Sequence, residues 1–465
     1  LMRKLSLLAA ALCAAASFTT GASVASADEG AFTPTFDFHG YFRSGVGVSK
    51  DGAEASWSKT YLGRLGNEDD TYGELEFGST VYKLNDVSFY LDAMVSMVTD
   101  GSNDDENTNG IDASTGNGDA NFGLRQFNLQ IKGLIPGQKD AVVWAGKRYY
   151  QRGDIHIIDT KYINISGAGA GVEYLKMGPG ALSLAWIRAD SQNVDYRYDD
   201  GYDEDSYYAE QNAAKSTTNV NFLDARYAGS YWQGGWLEFI STVAIPQDPD
   251  TVTEGGPNGP NGSAVDVSPS AVYDNGTSFM GTIVLSQDMF GGYNKTVVQY
   301  ANNGLAHNMV DMGGGWYDSW NDADSASGFR IMNTGEIPVT DDFRFTHALT
   351  YGYASDIGAT VDDEDLISAV ARVTYQTTQY SRIMAELGAF SQTVNYTDGT
   401  DWEVAGQKYT LALAFAPGKE ILSRPELRIY ASYITSDGDT DVTNSLGQAI
   451  YDNNFNFGVQ AEAWW

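Results

Sequence analysis

Cysteine is almost missing from this chain: among 465 residues there is only Cys13. Everything downstream of it is therefore without disulfides, thiolate nucleophiles or cysteine-ligated metals. Histidine is scarce too, with four residues, His39, His156, His307 and His347. Neither a G-x-S-x-G elbow nor an H-E-x-x-H pair occurs. With no nucleophile motif, a hydrolase or protease is not expected, and no cofactor is implied. No run of about 18 apolar residues follows the first segment, so no transmembrane helix is expected. Basic charge is the next shortage. Lys and Arg number 28 against 61 Asp and Glu, a net charge of −33. Nucleic acid is excluded as a partner for such a surface. Acidity of this size keeps loops solvated and attracts divalent cations.

What is present begins with a leader. Arg3 and Lys4 are the only charges before Asp28, and "LSLLAAALCAAASF" then "ASVASADEG" follow. A basic head, a short apolar stretch and a small-residue site make a secretory signal peptide, with cleavage expected after Ala27. A membrane anchor is the weaker reading, because the run is short and no stop-transfer charges follow. Leu12 before Cys13 argues against a lipoprotein. The expected division is residues 1–27 as signal peptide, 28–35 as a short extension and 36–465 as one domain.

Glycine and aromatics are abundant, with 51 Gly against 11 Pro and 13% aromatic residues. The decisive pattern is alternation with period two. In "FNFGVQAEAWW", Phe455, Phe457, Val459, Ala461, Ala463 and Trp465 share one face. Asn456, Gly458, Gln460, Glu462 and Trp464 share the other. In "FDFHGYFRSGVGVS", Phe36, Phe38, Phe42, Val46 and Val48 oppose Asp37, His39, Tyr41 and Arg43. "ELRIYASYI" and "YTLALAFA" repeat it. Strands alternate sides residue by residue. Charges and glycines on the second face would be costly in a dry core but not in a wet lumen. Long polar stretches at 99–119, 195–211 and 246–263 separate strands, and "APGKE" and "IPGQKD" read as short turns. The fold expected is all-β, a closed antiparallel transmembrane barrel with long external loops and short periplasmic turns, as in bacterial outer membranes. Closure pairs every backbone group, which hydrocarbon demands.

The stretches "FDFHGYFRSGVG", "RLGNEDDTYGELEFG", "WAGKRYYQRGDIHIIDTKYINISGAGAGVE", "GGYNKTVVQYA", "SRPELRIYASY" and "GVQAEAWW" make the chain resemble the maltoporin family. They run from Phe36 to Trp465. The resemblance implies a homotrimer of eighteen-stranded barrels, with one external loop folded into each lumen, passing maltose and maltodextrins. It also implies an aromatic slide, on which pyranose faces stack weakly and repeatedly. The matching positions are Tyr41, Tyr72, Tyr293 and Trp464. Alternation independently places Tyr41, Tyr72 and Trp464 on polar faces; Tyr293 rests on the resemblance alone. A rim or girdle position is the plainer reading of each ring.

The resemblance further implies a polar track that replaces water around sugar hydroxyls. Its positions are Arg43, Arg64, Glu74, Arg125, Arg152, Asp154, His156 and Asp159. Arg64 has the parity of Tyr72 and Glu74 if the strand is regular. Arg125 has the parity of outward Phe127 and Leu129, so it is lumenal only if its strand has ended. Structural ion pairs lining the wall are the plainer reading, with Arg152 pairing Asp154 or Asp159.

Departures are specific. Lys161 stands where the family has a constriction tyrosine, with Tyr162 beside it; which of the two lines the constriction stays open. Lys161 is expected to pair with Asp159. Another slide position falls on Thr377, near Tyr375 and Tyr380. No Trp lies between Trp57 and Trp144 to enter a neighbouring pore. The family's disulfide in the first external loop is impossible. A sucrose or β-glucoside porin is the alternative within the class, though the short 28–35 segment leaves no room for a sucrose porin's periplasmic coiled coil. A TonB-dependent transporter would need a plug domain. Lipopolysaccharide phosphates bridged by divalents suit the acidic surface. Phage reception would sit in the same loops. "DYRYDDGYDEDSYY" lacks EF-hand spacing and reads as a solvated charge run rather than a Ca²⁺ loop.

Overall fold

The computed structural model describes residues 32–50, 52–54, 56–68, 70–99, 120–195, 214–247, 250–253, 275–319, 321–438 and 454–465. The expected signal peptide, residues 1–27, lies outside them, as do most of the three long acidic loop stretches.

Among these residues, eighteen long strands pair antiparallel with their neighbours in sequence and close into a barrel. They are β1 (Asp37–Ser49), β2 (Thr71–Leu84), β3 (Val87–Thr99), β4 (Asn121–Lys132), β5 (Val142–Arg148) and β6 (Gly167–Met177). Next come β7 (Gly180–Arg188), β8 (Val220–Trp232), β9 (Gly235–Pro246), β10 (Ser278–Met289), β11 (Gly292–Asn302) and β12 (Ser327–Pro338). The ring ends with β13 (Phe343–Gly358), β14 (Val361–Gln376), β15 (Ser381–Tyr396), β16 (Asp401–Phe415), β17 (Glu426–Gly438) and β18 (Asn454–Trp464). β18 pairs with β1 from Tyr41↔Trp464 to Val48↔Phe457, which abolishes the edge.

The expected alternation holds. On β18, Phe455 and Phe457 are more than half exposed, whereas Asn456 and Glu462 are buried. On β15, Ile383 and Leu387 face out while Arg382, Met384 and Glu386 face in. The apolar face meets lipid; the polar face meets the lumen. "IPGQKD" and "APGKE" lie in the short connections β4–β5 and β16–β17.

Three external loops fold inward, not one. The first, residues 50–70, carries the short helix α1 (Lys59–Leu62). The second, 149–166, forms a hairpin of Gly153–Ile155 and Thr160–Ile163. The third, 303–326, begins with a 3-10 helix, Asn303–Met309. Glycines on the inner wall admit them. A Cβ on Gly388 would sit 2.0 Å from the Leu62 carbonyl oxygen, and one on Gly352 would sit 2.1 Å from that of Met309. Without cysteines, the first loop is closed by buried Asn67. Its carboxamide accepts from the Trp57 N–H (2.8 Å) and donates to the Trp57 and Gly63 carbonyls (2.8 and 3.2 Å).

Candidate functional site

The second loop crosses the lumen, and the wall holds it from opposite sides. Arg226 on β8 donates to the Gln151 carbonyl (2.6 Å), and Gln299 on β11 to that of Tyr162 (2.8 Å). The Asn164 N–H donates to the third loop's Gly314 carbonyl. On the far side Arg43 of β1 meets Asp159 at 3.1 Å, and Arg424 donates to His156 at 3.0 Å.

Beside this loop the inner wall carries a ladder of rings. Trp464 stacks near-parallel to Tyr41 (6.4 Å, 18°), and Tyr41 meets Tyr72 at 6.0 Å. The register explains it: Tyr41 pairs with Trp464 on one side and Glu74 on the other. Arg424 lies over the Trp464 ring at 4.6 Å and His156 meets its edge. Tyr293 has the lumenal parity, because Gln299, six residues on, contacts the inward loop. Tyr375 does not join the slide. Its strand turns Thr374 and Arg372 inward and Tyr375 outward. Thr377 lies in the following turn and bonds Ser381, with Tyr380 exposed beside it.

A charged lattice adjoins the rings. Arg64 donates to Glu68 (3.0 Å) and meets Glu462 at 2.9 Å, while the Tyr41 hydroxyl donates to Glu462 at 2.9 Å. Arg424 and Arg428 close on the same Glu462 carboxylate. Arg64 is therefore lumenal, but not through strand parity: it follows α1 in the first loop, before β2 begins. Burial, with Arg64 and Arg424 beside it, holds His156 well below the usual histidine range. A neutral ring has one acceptor nitrogen, and Nε2, 3.0 Å from Arg424, fits that role. Burial alone would raise the Asp159 carboxyl, yet Arg64, Lys59 and Arg43 hold it well below the usual carboxylate range.

Other placements differ from the sequence reading. Arg125 is lumenal although its strand continues. A bulge between Met94/Val95 of β3 and Leu124–Gln126 of β4 resets parity. Its Nε donates to Ser96 at 2.8 Å. Arg152 pairs with neither Asp154 nor Asp159 among the described residues; its guanidinium lies 3.4 Å over the Tyr149 ring. Lys161 meets Asp154 at 3.1 Å and Asp159 only at 4.0 Å, because Asp154 is its cross-strand partner. Thr160 and Tyr162 are buried on one face of the hairpin, Tyr162 against Gly153 and under Lys295. Lys161 occupies the opposite, partly exposed face.

Lys59, Glu68, Tyr149 and Arg424 were not singled out in the sequence, and Arg428 only as a polar-face residue of its strand. Tyr149 joins Tyr72 in donating to Glu74 Oε1, at 2.7 and 2.6 Å. Among these, Arg428 alone carried a signal, since it alternates with outward Leu427 and Ile429.

A closed barrel with a lipid-facing exterior and a polar, partly obstructed lumen is a porin-type channel. A family model described as LamB porin matches residues 36–465, and the chain belongs to that family. It is 52% identical over 459 residues to Maltoporin 1 of Klebsiella pneumoniae, covering 98% of this chain and 97% of that one. Maltoporin 2 of Yersinia pestis is 51% identical over 430 residues, covering 92% and 94%. Maltoporin 1 of Aeromonas salmonicida is 46% identical over 435 residues, covering 92% and 94%. Among solved structures, Pseudomonas aeruginosa OpdK with vanillate matches at a TM-score of 0.48 and 10% identity, covering 92% and 98%. The chain is a sugar porin of the bacterial outer membrane, and the relatives it matches are channels rather than enzymes.

Proposed function

We propose that the chain passes maltose and maltodextrins by facilitated diffusion, as a homotrimer in which each barrel carries its own pore. The observation that supports this best is the Trp464–Tyr41–Tyr72 ladder beside the Arg64–Glu462–Arg424 lattice. Rings offer pyranose C–H faces a surface, while the partly exposed polar groups of the inward loop, Asp154, Asp159 and Lys161, exchange hydrogen bonds with equatorial hydroxyls. Each contact is weak, so a sugar steps along rather than lodging. Tyr293, on the same inner face, extends the slide toward the short-turn end of β11. Arg43, Glu74, Arg125, Arg152, Asp154, His156 and Asp159 form the polar track, and Lys161 takes the constriction position. The 52% identity to a protein described as Maltoporin 1 favours maltodextrins over sucrose or β-glucosides.

Titrating maltotriose, sucrose and cellobiose against single-channel current tests the reading. Maltotriose should block saturably and most tightly. W464A should weaken that block roughly fivefold, the worth of about 1 kcal/mol of ring stacking, with little change in open conductance. Undiminished block in W464A would remove Trp464 from the slide.

A further inference from the structure

We propose that the pore's narrow stretch holds a site for oligosaccharides carrying an anionic group, a carboxylate or phosphate ester, built on Lys161, Arg152 and Arg125. This rests on the sugar-channel reading and adds to it the charge class of the sugar.

The molecule as a whole is strongly acidic, with a net charge of −33. Around the hairpin three cations, Lys161, Arg152 and Arg125, stand beside three carboxylates, Asp154, Asp159 and Glu74. Lys161 is held chiefly by Asp154, directly opposite on the hairpin at 3.1 Å, with Asp159 at 4.0 Å, and the side chains of Lys161 and Asp154 are 27% and 46% exposed. An exposed pair of this kind is weak in water, so the ammonium can change partners at little cost. The next carboxylate, Asp159, is already engaged by Arg43 at 3.1 Å and Lys59 at 3.0 Å.

Two more cations face the lumen, Arg152 on the inward loop and Arg125 on β4. Arg152 immediately precedes the hairpin, and stacking on Tyr149 leaves the N–H edge of its guanidinium available to a ligand. The β4 bulge swings Arg125 inward, where its Nε meets only the Ser96 hydroxyl. Neither guanidinium has a carboxylate within 4.0 Å among the described residues. Glu74 lies nearby, but one of its oxygens already takes the Tyr72 and Tyr149 hydroxyls. A neutral sugar can offer these cations only hydroxyl oxygens. An oxyanion forms charge-assisted bonds, roughly twice as strong, and takes the place of Asp154 at Lys161.

The test compares maltotriose with its aldonate, the same trisaccharide oxidised to a terminal carboxylate, in bilayers holding the assembled protein. The aldonate should block at roughly tenfold lower concentration in 0.1 M KCl, and the preference should shrink in 1 M KCl as charges are screened. K161M should reduce the aldonate-to-maltotriose affinity ratio about tenfold, and R152Q should reduce it in the same direction. Maltotriose block without any aldonate preference in the wild type overturns this inference and leaves the sugar-channel reading standing. So does a ratio untouched by both substitutions. Block by neither sugar overturns both.

Discussion

Against β7–β12 the inward loop lies on a mainly apolar bed, pinned by Arg226 and Gln299 to its carbonyls; against β1, β17 and β18 it lies on a lattice of charges. On the first side Ile155, Ile163 and Ile165 pack with Ile187, Val220, Phe222, Met280 and Val297, all buried. On the second, Arg43, Arg64, Glu68, His156, Arg424, Arg428 and Glu462 meet through ion pairs and hydrogen bonds. The apolar side gains from excluded water and tolerates no gap. The charged side is satisfied within itself by ion pairs and hydrogen bonds, and its side chains are buried. One loop thus has an apolar flank and a charged flank, and the aromatic ladder runs along the second.

The hardest way to break the contrast is to orphan a buried charge where the first loop meets the wall. Glu386 receives Lys408 at 2.7 Å and Arg372 at 2.6 Å, all three buried, and accepts from the Leu65 N–H. E386Q leaves two buried cations short of charge. It should cost roughly 3–5 kcal/mol, read as a large fall in thermal unfolding temperature.

On the apolar side, I163A removes a buried side chain without touching charge. A loss of about 2–4 kcal/mol should appear in denaturant unfolding, with sugar block less affected than in W464A. A block lost as completely as stability would mean that the two flanks are not separate.

A smaller effect comes from pH. The His156 value is depressed in the folded protein, so the unfolded chain takes up a proton below about pH 6.5 that the folded one refuses. Its contribution is present above that pH and is lost as pH falls. His307 runs the other way. Burial lowers it, but Asp318 at 3.0 Å outweighs burial and raises it, so its contribution is full at low pH and lost as pH rises. Comparing wild type with H156Q isolates the first. The wild type should lose up to about 2 kcal/mol more than H156Q between pH 7 and pH 5, measured as the shift in unfolding midpoint. Parallel curves would place His156 outside the titrating set.

Alternation by itself determined the barrel, its lipid-facing exterior and the inward sense of Tyr41, Tyr72, Glu74 and Trp464, because a strand has only two sides. The stretch from Trp144 to Glu173 carried enough specific sequence to indicate an inward loop. Only the tertiary structure decided what depends on register or on meetings far along the chain. The β4 bulge turns Arg125 inward, an irregularity that counting residues cannot see. Arg64 lies in a loop, and its partner Glu462 is at the other end of the chain. Two further loops enter the lumen because Gly352 and Gly388 leave room for backbone on the opposite wall. Lys161 faces the exposed side because Thr160 and Tyr162 are buried on the other. Local periodicity fixes the side of a strand; long-range packing fixes which irregular segments press against it.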